Sequence, residues 1–99
     1  MTSVEVLVAY DVATDSPAGR RRLRQVAKVC EGFGQRVQKS VFECIVTDGE
    51  LAMLEARVAR VIDPASDSLR IYRLREPRDH YLIVHGRTID HDIHDPLIL

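Results

Sequence analysis

Apolar residues fill most of positions 4–12, with Val4, Val6, Val8, Tyr10 and Val12 on one side of an extended chain and Leu7 and Ala9 on the other. Side chains alternate across a strand, so this run predicts a central strand covered at least in part on both faces. It stops at Ala13-Thr14-Asp15-Ser16-Pro17, where Ser16 suits an N-cap and Pro17 the first helical position. A helix is expected to follow. Leu23, Val26, Ala27, Cys30 and Phe33 recur at three-and-four spacing as one buried stripe, and Arg20, Arg21, Arg24 and Lys28 fall largely on the exposed side. Gly32 and Gly34 supply the expected stop.

Residues 36–38 and 41–46 are short β-favouring stretches separated by Lys39-Ser40, read as a pair of strands or one bent strand. Thr47-Asp48-Gly49-Glu50 fits a capping box, so a second helix starts there with Leu51, Leu54, Val58, Val61 and Ile62 as its apolar stripe and Pro64 as its end. Residues 68–74 alternate clearly enough for a strand. The predicted order, βαββαβ, is the ferredoxin-like α+β arrangement: an antiparallel sheet with two helices on one face. Beyond a polar turn at 76–79, residues 81–84 read as a short fifth strand. The division expected is a domain over 1–85 and a tail over 86–99 whose apolar end, Pro96-Leu97-Ile98-Leu99, packs on a partner subunit.

At 99 residues, with 45% hydrophobic and 29% charged, the chain suits one domain. No apolar run approaches the ~20 residues of a membrane-spanning helix, so the expected setting is cytoplasmic, with no membrane partner. Cys30 and Cys44 form no CxxC pair and read as small buried hydrophobes. The formal net charge of −1 hides strong segregation: residues 20–39 sum to +6, residues 40–68 to −4, residues 69–87 to +3, and residues 88–99 to −3. Twelve of the fourteen bases are Arg, whose planar fork suits bidentate phosphate contacts.

Two features bear on chemistry. Asp11 ends the first strand, where it either caps a turn, pairs with a nearby Arg, or serves as a single-carboxylate Mg²⁺ ligand. A two-fold dimer could bring two copies of it together. Arg20, Arg21 and Arg22, with Arg24, lie near a helix N-terminus, whose free N–H groups also attract phosphate; a solvated helix face is the plainer alternative. The patch Asp90-His91-Asp92-Ile93-His94-Asp95 matches no defined ligand spacing. Glycine-rich phosphate loops and paired stacking aromatics are absent from the sequence.

The string Val8-Ala9-Tyr10-Asp11-Val12, the run Arg20-Arg21-Arg22-Leu23, the stretch Arg36-Val37-Gln38-Lys39-Ser40-Val41-Phe42-Glu43-Cys44, and Asp67-Ser68-Leu69-Arg70-Ile71-Tyr72-Arg73-Leu74 together resemble CRISPR-associated protein 2. The resemblance runs from about residue 3 to about residue 75 and implies a ferredoxin-like homodimer. It further implies a metal-dependent endonuclease acting on single-stranded RNA or double-stranded DNA in CRISPR spacer acquisition. Asp11 would then be the catalytic and Mg²⁺-binding acid near the dimer axis. Tyr10, one of Arg20, Arg21 and Arg22, Arg36, Ser40 and Phe42 would line or support the nucleic-acid-binding region. The resemblance also implies a CRISPR integrase subunit as partner, and an alternative role as a non-catalytic DNA-binding scaffold between integrase subunits.

Overall fold

A computed structural model of the chain describes residues 2–86. Its element order is β1 (Ser3–Asp11), α1 (Pro17–Glu31), β2 (Gly34–Gln38), β3 (Val41–Thr47), α2 (Asp48–Val61), β4 (Ser68–Leu74) and a one-turn α3 (Arg78–Tyr81). The four strands form one antiparallel sheet in the order β2-β3-β1-β4. This is the expected ferredoxin-like topology, with β1 central because it is the apolar run able to bury both faces.

Even-numbered residues of β1, and Val12 just beyond it, set the core. Val6, Val8, Tyr10 and Val12 are buried against Val26 and Cys30 of α1 and Leu54 and Val58 of α2, with Phe42, Cys44 and Val46 of β3 beside them. Both helix stripes read from the sequence therefore meet one sheet face. Their starts are chemically specified: Ser16 Oγ accepts the Gly19 N–H at 3.0 Å, and Thr47 and Glu50 close a reciprocal capping box at 3.2 and 2.8 Å. As expected, Cys30 and Cys44 are buried free thiols, and burial pushes their pKa values up to about 11 and about 12.

Three local expectations are refined or corrected. Residues 34–47 form a hairpin rather than one bent strand, with the ladder shifted between Arg36 and Gln38. Gly34 does not stop α1; it opens β2 opposite Cys44, and a β-carbon there would run into the Cys44 side chain and the Glu43 carbonyl. The fifth strand expected over residues 81–84 is not formed among the described residues. Instead Arg78–Tyr81 make a helical turn and residues 82–85 pair with no strand. The side chains of that turn reach the odd-numbered sheet face: Tyr81 Oη donates to Glu5 Oε2 at 2.7 Å, and Arg78 Nη2 lies 2.9 Å from Glu43 Oε1. Those polar contacts hold a helical turn that takes up Tyr81, the first residue of the expected strand. The tail read at 86–99 lies, past Gly86, outside the described residues.

Phe42 is the largest of the fully buried side chains. Phe42→Ala leaves a cavity at the junction of β1, β2 and β3 and is expected to cost about 3–5 kcal/mol. A urea titration followed by circular dichroism checks this as a lower midpoint with unchanged slope.

Candidate nucleic-acid interface

The site begins where β1 leaves the sheet. Tyr10 is 4% exposed and points into the core, so its neighbour Asp11 emerges on the opposite side as the strand's last, exposed residue. Asp11 lies in register with Ser68 of β4. Its carboxylate makes no hydrogen bond or ion pair with another described residue. Of the roles open to Asp11 from sequence, pairing with a nearby Arg is therefore not the one adopted.

Two bonds fasten the end of β1 to the β2–β3 turn. The Tyr10 N–H donates to the Ser40 carbonyl at 3.1 Å, and Tyr10 Oη donates to the Lys39 carbonyl at 3.3 Å. Burial raises the Tyr10 phenol above its ordinary pKa, with the nearby Arg36 opposing, so it serves as a neutral donor. This anchorage gathers Tyr10, Asp11, Arg24, Arg36, Lys39 and Ser40 around one cleft of about 410 Å³. The Arg36 guanidinium sits 5.2 Å from the centre of the Phe42 ring and 3.5 Å from Glu31. Phe42 in turn stacks on Tyr10 with ring centres 6.2 Å apart.

Tyr10, Asp11, Arg36 and Ser40 are thus brought together as the sequence placed them. Phe42, expected in the nucleic-acid region, is completely buried. It cannot touch a nucleic acid and acts from beneath, by supporting Tyr10 and Arg36. The three arginines of the run do not line the cleft. Arg21 is exposed, and Arg20 is exposed with Nη1 donating to the Thr14 carbonyl at 3.2 Å. Arg22 is tied to Asp67, with Nε donating to Oδ2 at 2.8 Å and Nη2 to Oδ1 at 3.4 Å. That engagement takes Arg22 out of the open basic surface.

Sequence reasoning put Arg24 in the basic run but not beside Asp11, and it missed Lys39 as a cleft residue and Asp67 as a buried acid. Arg24 carries a readable signal, since it lies one turn beyond Arg20 on the exposed face of α1. Lys39 occupies the hairpin turn, and its place beside Asp11 follows only from strand order. Asp67 gives no local signal: its side chain is fully inaccessible and accepts from Ala13 N–H (3.0 Å), Asp63 N–H (2.8 Å) and Arg22. The Arg22 hydrogen bond, helped by those two backbone donors, holds its pKa down at about 2 against desolvation.

A ferredoxin-like domain with one exposed strand-end carboxylate among cleft-lining cations is the class that fold and geometry define. The chain belongs to the family described as CRISPR associated protein Cas2, whose sequence pattern matches residues 4–80. It is 52% identical over 94 residues to the CRISPR-associated endoribonuclease Cas2 1 of Moorella thermoacetica, covering 95% of this chain and 98% of that protein. It is 48% identical over 93 residues to the CRISPR-associated endonuclease Cas2 of Halalkalibacterium halodurans, covering 94% and 97% respectively. The crystal structure of Streptococcus pyogenes Cas2 at pH 6.5 superposes with a TM-score of 0.75 at 49% identity, over 83% of this chain and 99% of that one. No helix among the described residues is long and apolar enough to cross a membrane.

The depressed pKa of Asp67 carries a pH consequence. A carboxylate whose folded-state pKa is about 2 against an ordinary 3.8 contributes stability that is fully present above about 3.8 and disappears as pH falls toward 2. In urea titrations from pH 6 to pH 2, the wild type is expected to lose stability more steeply across that window than Asp67→Asn. Parallel curves for the two proteins would contradict the assignment.

Proposed function

We propose that this protein is a Mg²⁺-dependent endonuclease of CRISPR adaptation that works as a homodimer, cleaves RNA or DNA phosphodiesters and binds duplex DNA along its backbone. One observation carries the reading: Asp11, an exposed carboxylate with no competing partner among the described residues, shares a cleft with Arg24, Arg36 and Lys39. The names of the relatives, endoribonuclease and endonuclease, agree with it. The resemblance of the chain to its family supports the dimer and an integrase subunit as protein partner.

The donor chemistry fits Mg²⁺ better than a softer metal. No three His, Cys, Asp or Glu converge among the described residues, so a thiolate or imidazole cage is not built. Mg²⁺ commonly takes one or two carboxylates and fills its remaining positions with waters and substrate phosphate oxygens. Asp11 supplies one such oxygen ligand, and a second copy of the chain would supply another across a two-fold axis. Mg²⁺ there would acidify a bound water and offset charge on the phosphate. The chain's own groups complete the work. Arg36, steadied by Phe42 and Glu31, presents a guanidinium to a phosphate oxygen, and Arg24 and Lys39 offset the charge of adjoining phosphates.

A second reading, the DNA-binding scaffold between integrase subunits, is favoured by one specific feature. Among the described residues the cleft is lined by no carboxylate besides Asp11 and by no His, so they supply it with no evident general base. The exposed Arg20 and Arg21 on α1 suit duplex backbone equally well.

Asp11→Asn is expected to lower Mg²⁺-dependent cleavage of RNA or duplex DNA by at least about 100-fold while duplex binding persists. Cleavage by the wild type no faster than by this variant would leave the scaffold reading alone. For either reading, Arg20→Ala with Arg21→Ala is expected to flatten the dependence of log K on log salt by about 0.9 for each phosphate that the variant no longer neutralises. Fluorescence anisotropy on a labelled duplex measures that slope.

A further inference from the structure

Asp11 is held at a boundary where the chain leaves a rigid sheet for a loop, and the two sides of that boundary are secured differently. Upstream, Tyr10 is fixed by its bonds to Lys39 and Ser40. Downstream, Val12 is buried, and the Ala13 N–H is taken by Asp67 Oδ1 at 3.0 Å. The same carboxylate accepts the Asp63 N–H and the Arg22 Nε on Oδ2, both at 2.8 Å. One buried side chain therefore joins the β1–α1 loop, the body of α1 and the start of β4. It does so directly beside the Asp11–Ser68 pair, since Asp67 immediately precedes Ser68.

The rest of the loop is closed on the same framework. Arg20 Nη1 donates to the Thr14 carbonyl, Ser16 caps α1, and Gly19 lies so close to the Ala13 carbonyl that a β-carbon there would overlap it. A charged, fully inaccessible carboxylate is costly unless its partners are well aligned, and here the aligned partners lie directly behind the strand end that carries Asp11.

We propose that Asp67, with Arg22, is a positioning pair that sets the backbone leaving Asp11 and so aims the Asp11 carboxylate for Mg²⁺ and substrate. The proposal rests on the reading of Asp11 as the metal-holding acid. In this arrangement Arg22 acts through Asp67 and Ala13, not as a phosphate contact. Charge-assisted bonds are shorter and about twice as strong as neutral ones, so an amide in place of either member holds Ala13 less tightly. Groups that orient a metal ligand from behind typically change metal affinity or activity by about 10–100-fold when replaced.

The test compares Asp67→Asn, Arg22→Gln and Asp11→Asn, using the full chain at a temperature where circular dichroism shows each variant fully folded. Mn²⁺ binding is read by electron paramagnetic resonance, and cleavage is resolved into kcat and KM with Mg²⁺. Asp67→Asn and Arg22→Gln are expected to weaken Mn²⁺ binding and lower kcat by about 10-fold or more, with KM for nucleic acid and the salt slope unchanged. Placed on top of Asp11→Asn, either change is expected to weaken Mn²⁺ binding no further, because its route runs through Asp11. A raised KM and a shallower salt slope for Arg22→Gln would make Arg22 a phosphate contact and overturn the proposal. Wild-type Mn²⁺ binding and kcat in folded Asp67→Asn would overturn it while leaving the reading of Asp11 intact. Wild-type Mn²⁺ binding in Asp11→Asn would remove that reading and this proposal together.

Discussion

A single carboxylate shielded from solvent ties three segments of this small domain together. Asp67 lies at the start of β4, where it accepts hydrogen bonds from the loop after β1, from α1 and from the end of α2. Burying a charge is unfavourable unless each oxygen finds a donor, and here the donors come from three separate segments. The carboxylate is satisfied only when all three are in place. It therefore links helix placement to the geometry of the strand end that carries Asp11. The hydrophobic core is less demanding, because its stripes from β1, β3, α1 and α2 can meet without setting the path of the loop between β1 and α1.

The cleft has a division of labour that follows from burial. Tyr10 and Phe42 are core residues whose rings stack beneath the surface, and they hold the Arg36 guanidinium and the hairpin turn in place. Above them the exposed groups are an acid and cations, with no accessible ring among the described lining residues. In the proposed reading, such a surface would meet the sugar-phosphate backbone and not the faces of bases, with a grip that is electrostatic and largely independent of sequence. On the sheet face away from the helices, Arg78 and Tyr81 bring α3 over two acids of the sheet, Glu43 and Glu5. The Arg78–Glu43 contact is close but poorly aligned for a hydrogen bond, and Arg78 Nη1 has no hydrogen-bond partner among the described residues. The turn is held there mainly by charge attraction and the Tyr81 hydroxyl.

Much of the fold was legible along the chain. Alternation in β1 and β4, the two helix stripes, the Ser16 cap and the Thr47 capping box each encode an element through contacts within a few residues, and all appear where the pattern placed them. The departures occur where distant residues decide. Gly34 reads locally as a helix stop, yet it is required where β2 approaches Cys44. Residues 78–81 read as the approach to a strand, yet contacts to Glu5 and Glu43, more than thirty positions away, hold them as a helical turn. Of the site, Asp11 was legible as an acid at a strand end, whereas Arg36 was placed there only by the resemblance to a family. Arg22 was not distinguishable from Arg20 and Arg21, since three adjacent arginines look alike until a partner 45 positions away selects one of them.

The sequence by itself determined the order of elements from β1 to β4, the buried faces, the segregation of charge and the exposed acid at the end of β1. Those are properties of spacing, and spacing is a local quantity. Tertiary structure decided which arginine is internal, which basic residues surround Asp11, and which acid is paired and which is left open. Asp11 and Asp67 are chemically identical side chains. Only the folded arrangement gives one of them donors from Ala13, Arg22, Asp63 and Ser66 and a pKa of about 2, and leaves the other facing outward at the mouth of a cleft. The reason is that desolvation and donor geometry depend on what surrounds a group in space, and that is settled by segments far apart in the chain.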